Sequence, residues 1–172
     1  QRIIHSLHGY FLRPGDMNHP IIYDVDRIRD GRSFTTRRVV AIQKGEPIFN
    51  MSSSLQIEEE GVQHQIEMPD IPGPENCQRD INIRTENADK IPESMRDFFL
   101  RERPLELRYP HVEDMFQPKK RPPYRYMWMR TVGKLPDDIT LHQAILAYAS
   151  DMGLLGTSYN PHGLGMACLL YT

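Results

Sequence analysis

The chain has 172 residues, a length that fits one ordinary domain or two small ones. Its formal net charge at pH 7 is −2, which gives no electrostatic case for a nucleic-acid or anionic-membrane partner. The two cysteines, Cys77 and Cys168, match no metal or redox spacing, and no apolar run is long enough to span a bilayer.

Four strands are predicted in the first third of the chain, over residues 3–12, 20–29, 33–43 and 47–57. The turn sequences Asp30-Gly31 and Lys44-Gly45 separate the later ones. In the fourth strand, apolar and polar residues alternate, so that one face carries Phe49, Met51, Leu55 and Ile57. Consecutive strands joined by tight turns predict an antiparallel meander, one face of which another element must cover.

Residues 58–103 are predicted to be a linker, with a short helix near residues 93–101. The segment opens with three glutamates and carries four prolines, without sustained periodicity. Because a connection of this length is unusual inside one compact domain, it indicates two modules.

The second module is predicted to hold strands at residues 105–109 and 124–132 and a helix at about 139–152. The helix has apolar residues at the i, i+4 and i+7 spacing of a buried stripe, namely Leu141, Ile145, Tyr148 and Met152. Gly153 is a suitable residue to end it. Strands and a helix in this order predict an α+β fold. The chain starts and stops in apolar stretches, which predicts a piece of a longer polypeptide.

The segment HSLHGYFLRPGD, residues 5–16, resembles the signature of the type II acyl-CoA thioesterases, the family of bacterial thioesterase II and its peroxisomal relatives. The similarity continues in order along nearly the whole chain, through PIIYDV (20–25), RDG (29–31), RRV (37–39), AIQ (41–43), RPLELR (103–108), WMR (128–130), LPDD (135–138), YASD (148–151) and PHG (161–163). The resemblance implies a double hotdog, in which each module is an antiparallel sheet wrapped on a long helix. The modules would be residues 1–57, lacking the first strand and helix, and residues 104–172, also incomplete, joined by the linker 58–103.

The resemblance also implies hydrolysis of fatty acyl-CoA thioesters to free fatty acid and CoA, with no metal and no cofactor. In this family an aspartate, a threonine and a glutamine hold the attacking water, and Asp151 lies at the position of the aspartate. A positioned carboxylate that accepts a proton from water accelerates such reactions by about 10²–10⁴-fold. Asp151 also lies near the C-terminal end of the predicted helix, where a negative charge opposes the helix dipole, and a residue placed against local preference can indicate function.

The family's threonine and glutamine have no matched positions in this sequence. After Gly163 the family continues into a strand with the threonine and a DHSMWFHR block, whereas here the chain runs into residues 168–172 (CLLYT), which resemble a later family segment. Neither Thr157 nor Thr172 is a matched replacement. The sequence as given is therefore expected to leave the three-residue water site incomplete.

Other side chains are candidates for substrate contact. His5 is a possible substrate or catalytic contact, although hydrogen-bonded strand histidines are commoner. Arg37, Arg38 and the Lys119-Lys120-Arg121 run could meet the phosphates of CoA, because phosphate favours such donors. The sequence contains no HxxxH pair, which argues against a metal site.

Two alternatives to a thioesterase stay open. The chain could be a catalytically incomplete hotdog fragment that binds acyl-CoA or oligomerises, or a hotdog hydratase acting on acyl-CoA carbon–carbon bonds. The partners expected from the resemblance are fatty acyl-CoA and further copies of the chain in a homo-oligomer, without nucleic acid and without membrane insertion. The expected location is cytoplasmic or peroxisomal.

Overall fold

A computed structural model describes residues 2–114 and 116–164 of the chain, and these residues form an α+β fold. The strands are β1 (Arg2–Phe11), β2 (Ile22–Asp30), β3 (Phe34–Gln43), β4 (Glu46–Ile57), β5 (Gln78–Arg79), β6 (Leu105–Tyr109) and β7 (Trp128–Thr131). The helices are α1 (Asp80–Glu86), α2 (Glu93–Leu100), α3 (Ile139–Ser150) and α4 (Leu154–Tyr159), with 3₁₀ turns at Pro74–Asn76, Ala88–Lys90 and Asn160–His162. The α+β class expected from the sequence is confirmed.

The chain divides into two compact units. The first contains residues 1–65 together with 139–143, and the second contains residues 66–138 and 144–172. The predicted division into modules at 1–57 and 104–172 stays a prediction. Residues 66–103 are more ordered than the predicted linker, since they contain β5, α1 and α2 in addition to the 3₁₀ turns. The predicted helix at 93–101 corresponds to α2.

The four predicted strands of the first unit are present within two residues at every end, but the meander is wrong. The order across the sheet is β1-β4-β3-β2, with every neighbouring pair antiparallel. The strands β2, β3 and β4 follow one another as hairpins, whereas β1 pairs with β4. A two-residue turn with positive φ at Lys44 and Gly45, the geometry that suits strand twist, joins β3 to β4.

The connection between β1 and β2 crosses the end of this hairpin. Leu12 and Arg13 donate their backbone N–H groups to the Ile48 carbonyl. Further along, the buried Gln43 side chain accepts from the Asp16 backbone N–H at 2.8 Å and donates to the carbonyls of Asp16 and His19 at 2.7 and 2.8 Å. These three bonds pair both the oxygen and the nitrogen of the buried Gln43 amide. They thereby fix the path of the connection between β1 and β2.

The strand register confirms the predicted alternation in β4. Phe49, Met51 and Leu55 lie opposite Ala41, Val39 and Thr35 of β3 and share their face of the sheet. Gln143 of α3 binds the backbone of the edge strand β1. Its side chain accepts from the Ile4 N–H at 3.1 Å and donates to the Ile4 carbonyl at 3.0 Å.

In the second unit, the C-terminal part of α3 contacts β6, the central strand of the three-stranded sheet β5-β6-β7. Leu105 and Leu107 of β6 and Ala149 of α3 form a buried cluster, and Ile145, Met152 and Tyr109 pack against it. The predicted stripe is therefore wrong at Tyr148, which is 60% exposed, whereas Ala149 is 5% exposed. Counted from Ile145, the i+4 and i+7 positions are Ala149 and Met152, so these residues face the sheet. The predicted strand at 124–132 is shorter, since only Trp128–Thr131 pairs with β6.

The opposite face of this sheet carries an ion cluster centred on Glu106 of β6. The Glu106 carboxylate lies 2.6 Å from Arg108 Nε, 3.1 Å from Arg79 Nη2 and 3.1 Å from Arg130 Nε, so it joins all three strands. Its side chain is 8% exposed. The hydrogen bond from Arg108, and after it the one from Arg130, hold the pKa of Glu106 below its usual value of 4.5.

Because the pKa of Glu106 is lower in the folded chain than in the unfolded chain, the carboxylate stabilises the fold above the unfolded pKa. This contribution is lost as the pH falls through the folded pKa. We expect Glu106→Gln to lower the free energy of unfolding at pH 7 by about 1–3 kcal/mol, with a smaller difference at pH 3. Urea unfolding at several pH values measures both effects. Glu102→Gln, an exposed residue, is the matched control, and a pH-independent difference for Glu106→Gln would contradict the assignment.

Candidate active site

Asp151 lies at the wall of a cavity of about 380 Å³ in the second unit. The residue directly follows Ser150, the last residue of α3, whereas the predicted helix extended to about residue 152. Its neighbours Met152 and Gly153 line the same cavity, as do Leu155, Gly156 and Tyr159 of α4. Among the residues that the structure describes, none forms a hydrogen bond or ion pair with the Asp151 carboxylate.

The turn after Asp151 depends on Gly153. Gly153 has φ of +85°, a left-handed conformation that costs little only for glycine. A Cβ atom on Gly153 would also lie 2.5 Å from Met127 Cε. The Met152 backbone N–H donates to the Ala149 carbonyl at 3.0 Å, which closes the end of α3. The turn at Gly153 thus places Met152, before the turn, and Leu155, after it, at the same cavity.

The inner part of the cavity combines apolar residues with a buried ion pair. Ile83 of α1, Phe99 of α2 and Leu107 of β6 line it, together with Arg84 and Asp80. Arg84 is 4% exposed, and its Nε lies 2.9 Å from Asp80 Oδ2. The N–H direction misses a hydrogen-bond geometry, so the contact is an ion pair rather than an aligned hydrogen bond.

Burial changes the acidity of two further groups at this wall. It lowers the pKa of the Arg84 guanidinium, an effect that the nearby Asp80 carboxylate opposes. It raises the pKa of the Tyr109 phenol, because the phenolate would be poorly solvated there. The Arg84 guanidinium also donates to the Phe99 carbonyl, which ties α1 to the end of α2.

The outer part of the cavity is charged. Glu113 accepts from Arg125 and lies 3.2 Å from Arg121 Nη1, so one carboxylate holds two guanidinium groups. Asp114 accepts from the backbone N–H groups of Phe116 and Gln117 at 2.9 and 3.1 Å, and the first of these lowers its pKa most. Lys119 belongs to the same lining.

His5, the second predicted site residue, lies in the first unit, whereas Asp151 lies in the second. The pairing of β1 with β4 shifts between Ile4 and Ser6, so His5 is the extra residue of a bulge. Its Nε2 lies 2.8 Å from Ser54 Oγ, and its ring contacts the Phe34 ring edge-on at 5.8 Å between centroids. This bulge sets the direction of the His5 side chain, and no pattern in the sequence predicted it.

The other predicted contacts are distributed over both units. Arg37 pairs with Asp30, and Arg38 Nη2 lies 3.4 Å from Asp26 Oδ2, so both guanidinium groups of β3 have acidic partners on β2. Lys119 and Arg121 line the cavity that Asp151 lines. The predicted segment Cys168–Thr172 lies outside the described residues.

The inner wall of the cavity was not predicted from the sequence, because residues 58–103 were interpreted as a linker. The spacing of Asp80 and Arg84, four positions apart, is the spacing at which opposite charges meet on a helix and was the available signal. Within residues 2–114 and 116–164, no three His, Cys, Asp or Glu side chains come together as metal ligands would. No helix in the same ranges has the length and apolar character needed to cross a membrane.

Two protein families match the sequence, each over part of the chain. Residues 1–56 match the family described as acyl-CoA thioesterase N-terminal domain, and residues 94–170 match the family described as acyl-CoA thioesterase. The chain is 40% identical over 164 residues to acyl-CoA thioesterase 2 of Haemophilus influenzae, covering 95% of this chain and 57% of that protein. It is 36% identical over 167 residues to human acyl-coenzyme A thioesterase 8, covering 92% of this chain and 52% of the relative.

Solved structures show the same relationship. The tesB protein of Mycobacterium avium subsp. paratuberculosis superposes with a TM-score of 0.69 at 30% identity, over 95% of this chain and 54% of that one. The acyl-CoA thioesterase II TesB2 of Mycobacterium marinum superposes with a TM-score of 0.61 at 36% identity, over 92% and 54%. A hotdog-fold protein of Alicyclobacillus acidocaldarius, at 20% identity and a TM-score of 0.56 over 84% and 49%, shares the fold.

The antiparallel sheets with their helix are thus those of a hotdog-fold protein. The chain belongs to the type II acyl-CoA thioesterase family, as its signature sequence predicted. It spans about half the length of the curated relatives that it matches.

The left-handed turn at Gly153 gives a first prediction for this site. We expect Gly153→Ala to lower the free energy of unfolding by about 1–2 kcal/mol, because the added Cβ strains the backbone and meets Met127. Chemical unfolding measures the change. Gly133→Ala is the matched control, since a Cβ there meets no atom within 4 Å. Equal effects of both substitutions would contradict the role given to Gly153.

The buried ion pair gives a second prediction. We expect Asp80→Asn to destabilise the chain by about 3–5 kcal/mol, because it leaves the buried Arg84 guanidinium without its counter-charge. The shift in the urea midpoint measures this cost. Asp89→Asn removes the same charge from an exposed position on the neighbouring 3₁₀ turn and should be nearly neutral. A similarly small effect at Asp80 would show that the pair is not buried in solution.

Proposed function

We propose that the chain carries the water-activating aspartate of an acyl-CoA thioesterase, which hydrolyses acyl-CoA to a free fatty acid and CoA. The observation that carries the proposal is the position of Asp151 at the wall of the cavity, beyond the end of α3. Membership of the thioesterase family supports the reaction class. The names of the relatives, acyl-CoA thioesterase 2 and acyl-coenzyme A thioesterase 8, support the substrate class.

In the proposed reaction, the Asp151 carboxylate accepts a hydrogen bond from a water molecule and takes its proton as the oxygen attacks the thioester carbonyl carbon. The new C–O bond forms a tetrahedral intermediate. The C–S bond then breaks, and the proton passes to the sulfur, so that the products are the carboxylic acid and the CoA thiol. No covalent acyl-enzyme is required.

The surroundings of Asp151 support this role in two respects. The carboxylate has no ion-pair partner among the described residues, so both of its oxygens can accept from water. Met152, Leu155 and Leu107 supply apolar lining to the same cavity. Asp151 itself is exposed, so that water can reach its carboxylate beside this apolar lining.

A second function is favoured by one specific observation. The threonine and glutamine that the resemblance implies as partners of the aspartate have no matched positions in the sequence, which spans about half of its relatives. Alone, the chain would then bind acyl-CoA without turnover, or assemble with other copies. Homo-oligomerisation, a cytoplasmic or peroxisomal location, and His5 as a substrate contact stay predictions from the resemblance.

The two functions differ in the effect of Asp151→Asn on turnover. If the chain is an enzyme, we expect the substitution to lower kcat by about 10²–10⁴-fold, because it removes the proton acceptor. Release of CoA thiol from acyl-CoA, followed with a thiol reagent, measures the rate. Asp137→Asn makes the same charge change at an exposed position and should leave kcat unchanged.

Turnover that survives Asp151→Asn would refute the catalytic assignment. Binding of acyl-CoA with no turnover by the unmodified chain would favour the binding function instead. Calorimetric titration with acyl-CoA, run beside the rate assay, separates these outcomes from simple misfolding, because a misfolded chain gives neither.

A further inference from the structure

Residues 119–127, which precede β7, have no regular secondary structure and run alongside α4. We call this segment the strap. It meets α4 and the residues next to it at four places, in the opposite chain direction: Lys120 at Gly163, Arg121 at Asn160, Arg125 at Gly156 and Met127 at Gly153. At three of these places the α4 side is a glycine, which leaves room for the strap. The strap and α4 both belong to the second unit.

The contact at Gly156 is made by the guanidinium group of Arg125. A Cβ atom on Gly156 would lie 3.0 Å from Arg125 Nη1 and 3.7 Å from its Cζ, so the guanidinium occupies the space that a side chain would enter. The other terminal nitrogen of the same group, Nη2, donates to Glu113. Glu113 also lies 3.2 Å from Arg121 Nη1. Arg125 therefore connects a carboxylate outside the strap to the backbone of α4.

The remaining contacts align the strap with the end of α4. The Arg121 backbone N–H donates to the Asn160 carbonyl at 2.8 Å. Asn160 is 7% exposed, and its Nδ2 donates to the Pro122 carbonyl at 3.4 Å. At the other end of α4, Met127 Cε covers Gly153, the residue that turns the chain after Asp151.

The helix α4 has little else to fix its position. It has six residues, and none of them is buried. Leu154 and Leu155, its largest apolar side chains, are 65% and 55% exposed. Helices this short are marginal without tertiary contacts. The position of α4 therefore depends on specific contacts such as those of the strap.

We infer that the strap sets the position of α4 and of the turn that carries Asp151, and that Arg125 is the positioning residue in this contact. The effect on catalysis rests on the proposed function, which the inference deepens. Asp151 lies three residues before α4, so a displaced helix moves its carboxylate. A misplacement of about 1 Å can lower a rate by about 10²-fold. Arg125 does not have to touch the substrate to have this effect.

Hydrogen exchange tests the contact without any substrate. The reporter is the Thr157 amide, which donates to the Gly153 carbonyl at 3.0 Å within α4. We expect Arg125→Gln to raise its exchange rate about tenfold, the loss of protection that one hydrogen bond to a charged group would give. The amides of β6 should keep their exchange rates, which shows that the rest of the unit is folded. Arg32→Gln removes the same group at an exposed position of the first unit and should change neither.

Steady-state kinetics with acyl-CoA test the positioning role. We expect Arg125→Gln to lower kcat by about tenfold or more and to leave KM unchanged. Gly156→Val is the second variant, because its side chain would displace the Arg125 guanidinium, while valine is no poorer a helix former than glycine. It should lower kcat in the same way, whereas a merely structural role for a flexible glycine predicts no loss. Gly133→Val is the matched control, since a Cβ there meets no atom within 4 Å.

Unchanged exchange at Thr157 in Arg125→Gln overturns the inference. In an active chain, an unchanged kcat in either variant also overturns it. A raised KM with an unchanged kcat would show instead that the Arg125 guanidinium contacts the substrate. If the unmodified chain releases no CoA, the proposed function fails, and the exchange of Thr157 still decides whether the strap positions α4.

Discussion

The contact of the C-terminal part of α3 with β6 is the constraint on which the candidate site depends. Ala149 has a small side chain, and it lies buried against Leu105 and Leu107. A larger residue there would overpack the contact and displace the helix from the sheet. Asp151 follows two positions later, and the left-handed Gly153 then reverses the chain into α4. Asp151 therefore lies in the turn between α3 and α4, and its neighbours Met152, Gly153 and Leu155 line the same cavity.

The acidic residues that line this cavity differ in their interactions. Asp80 neutralises the buried Arg84, and Glu113 holds Arg121 and Arg125 at the rim. Asp114 caps the backbone beyond it. Among the described residues Asp151 is the acidic side chain of this lining that stabilises neither a cation nor a turn. A carboxylate without a structural partner is suited to accept from a water molecule, and the proposed function uses this property.

The sequence predicted local features better than arrangements that depend on distant contacts. Alternation in β4 and the Lys44-Gly45 turn lead directly to the observed hairpin. The pairing of β1 with β4 depends instead on the crossing that Gln43 fixes, and a buried glutamine gives no such signal in a sequence.

Tyr148 was placed in the buried stripe because periodicity alone cannot tell which side of a helix meets the sheet. The bulge at His5 and the helix α1 beneath the cavity were missed for the same reason, since both depend on partners far along the chain. The role of Asp151 stays a prediction, which rests on the family resemblance.

The central claim is that the thioester of an acyl-CoA lies beside Asp151. The most direct measurement is a crystal structure of the chain with a non-hydrolysable thioether analogue of octanoyl-CoA. The account predicts that the carbon next to sulfur lies within reach of a water hydrogen-bonded to an Asp151 oxygen, at about 2.6–3.2 Å between oxygens. An analogue bound with its sulfur away from Asp151 would contradict it.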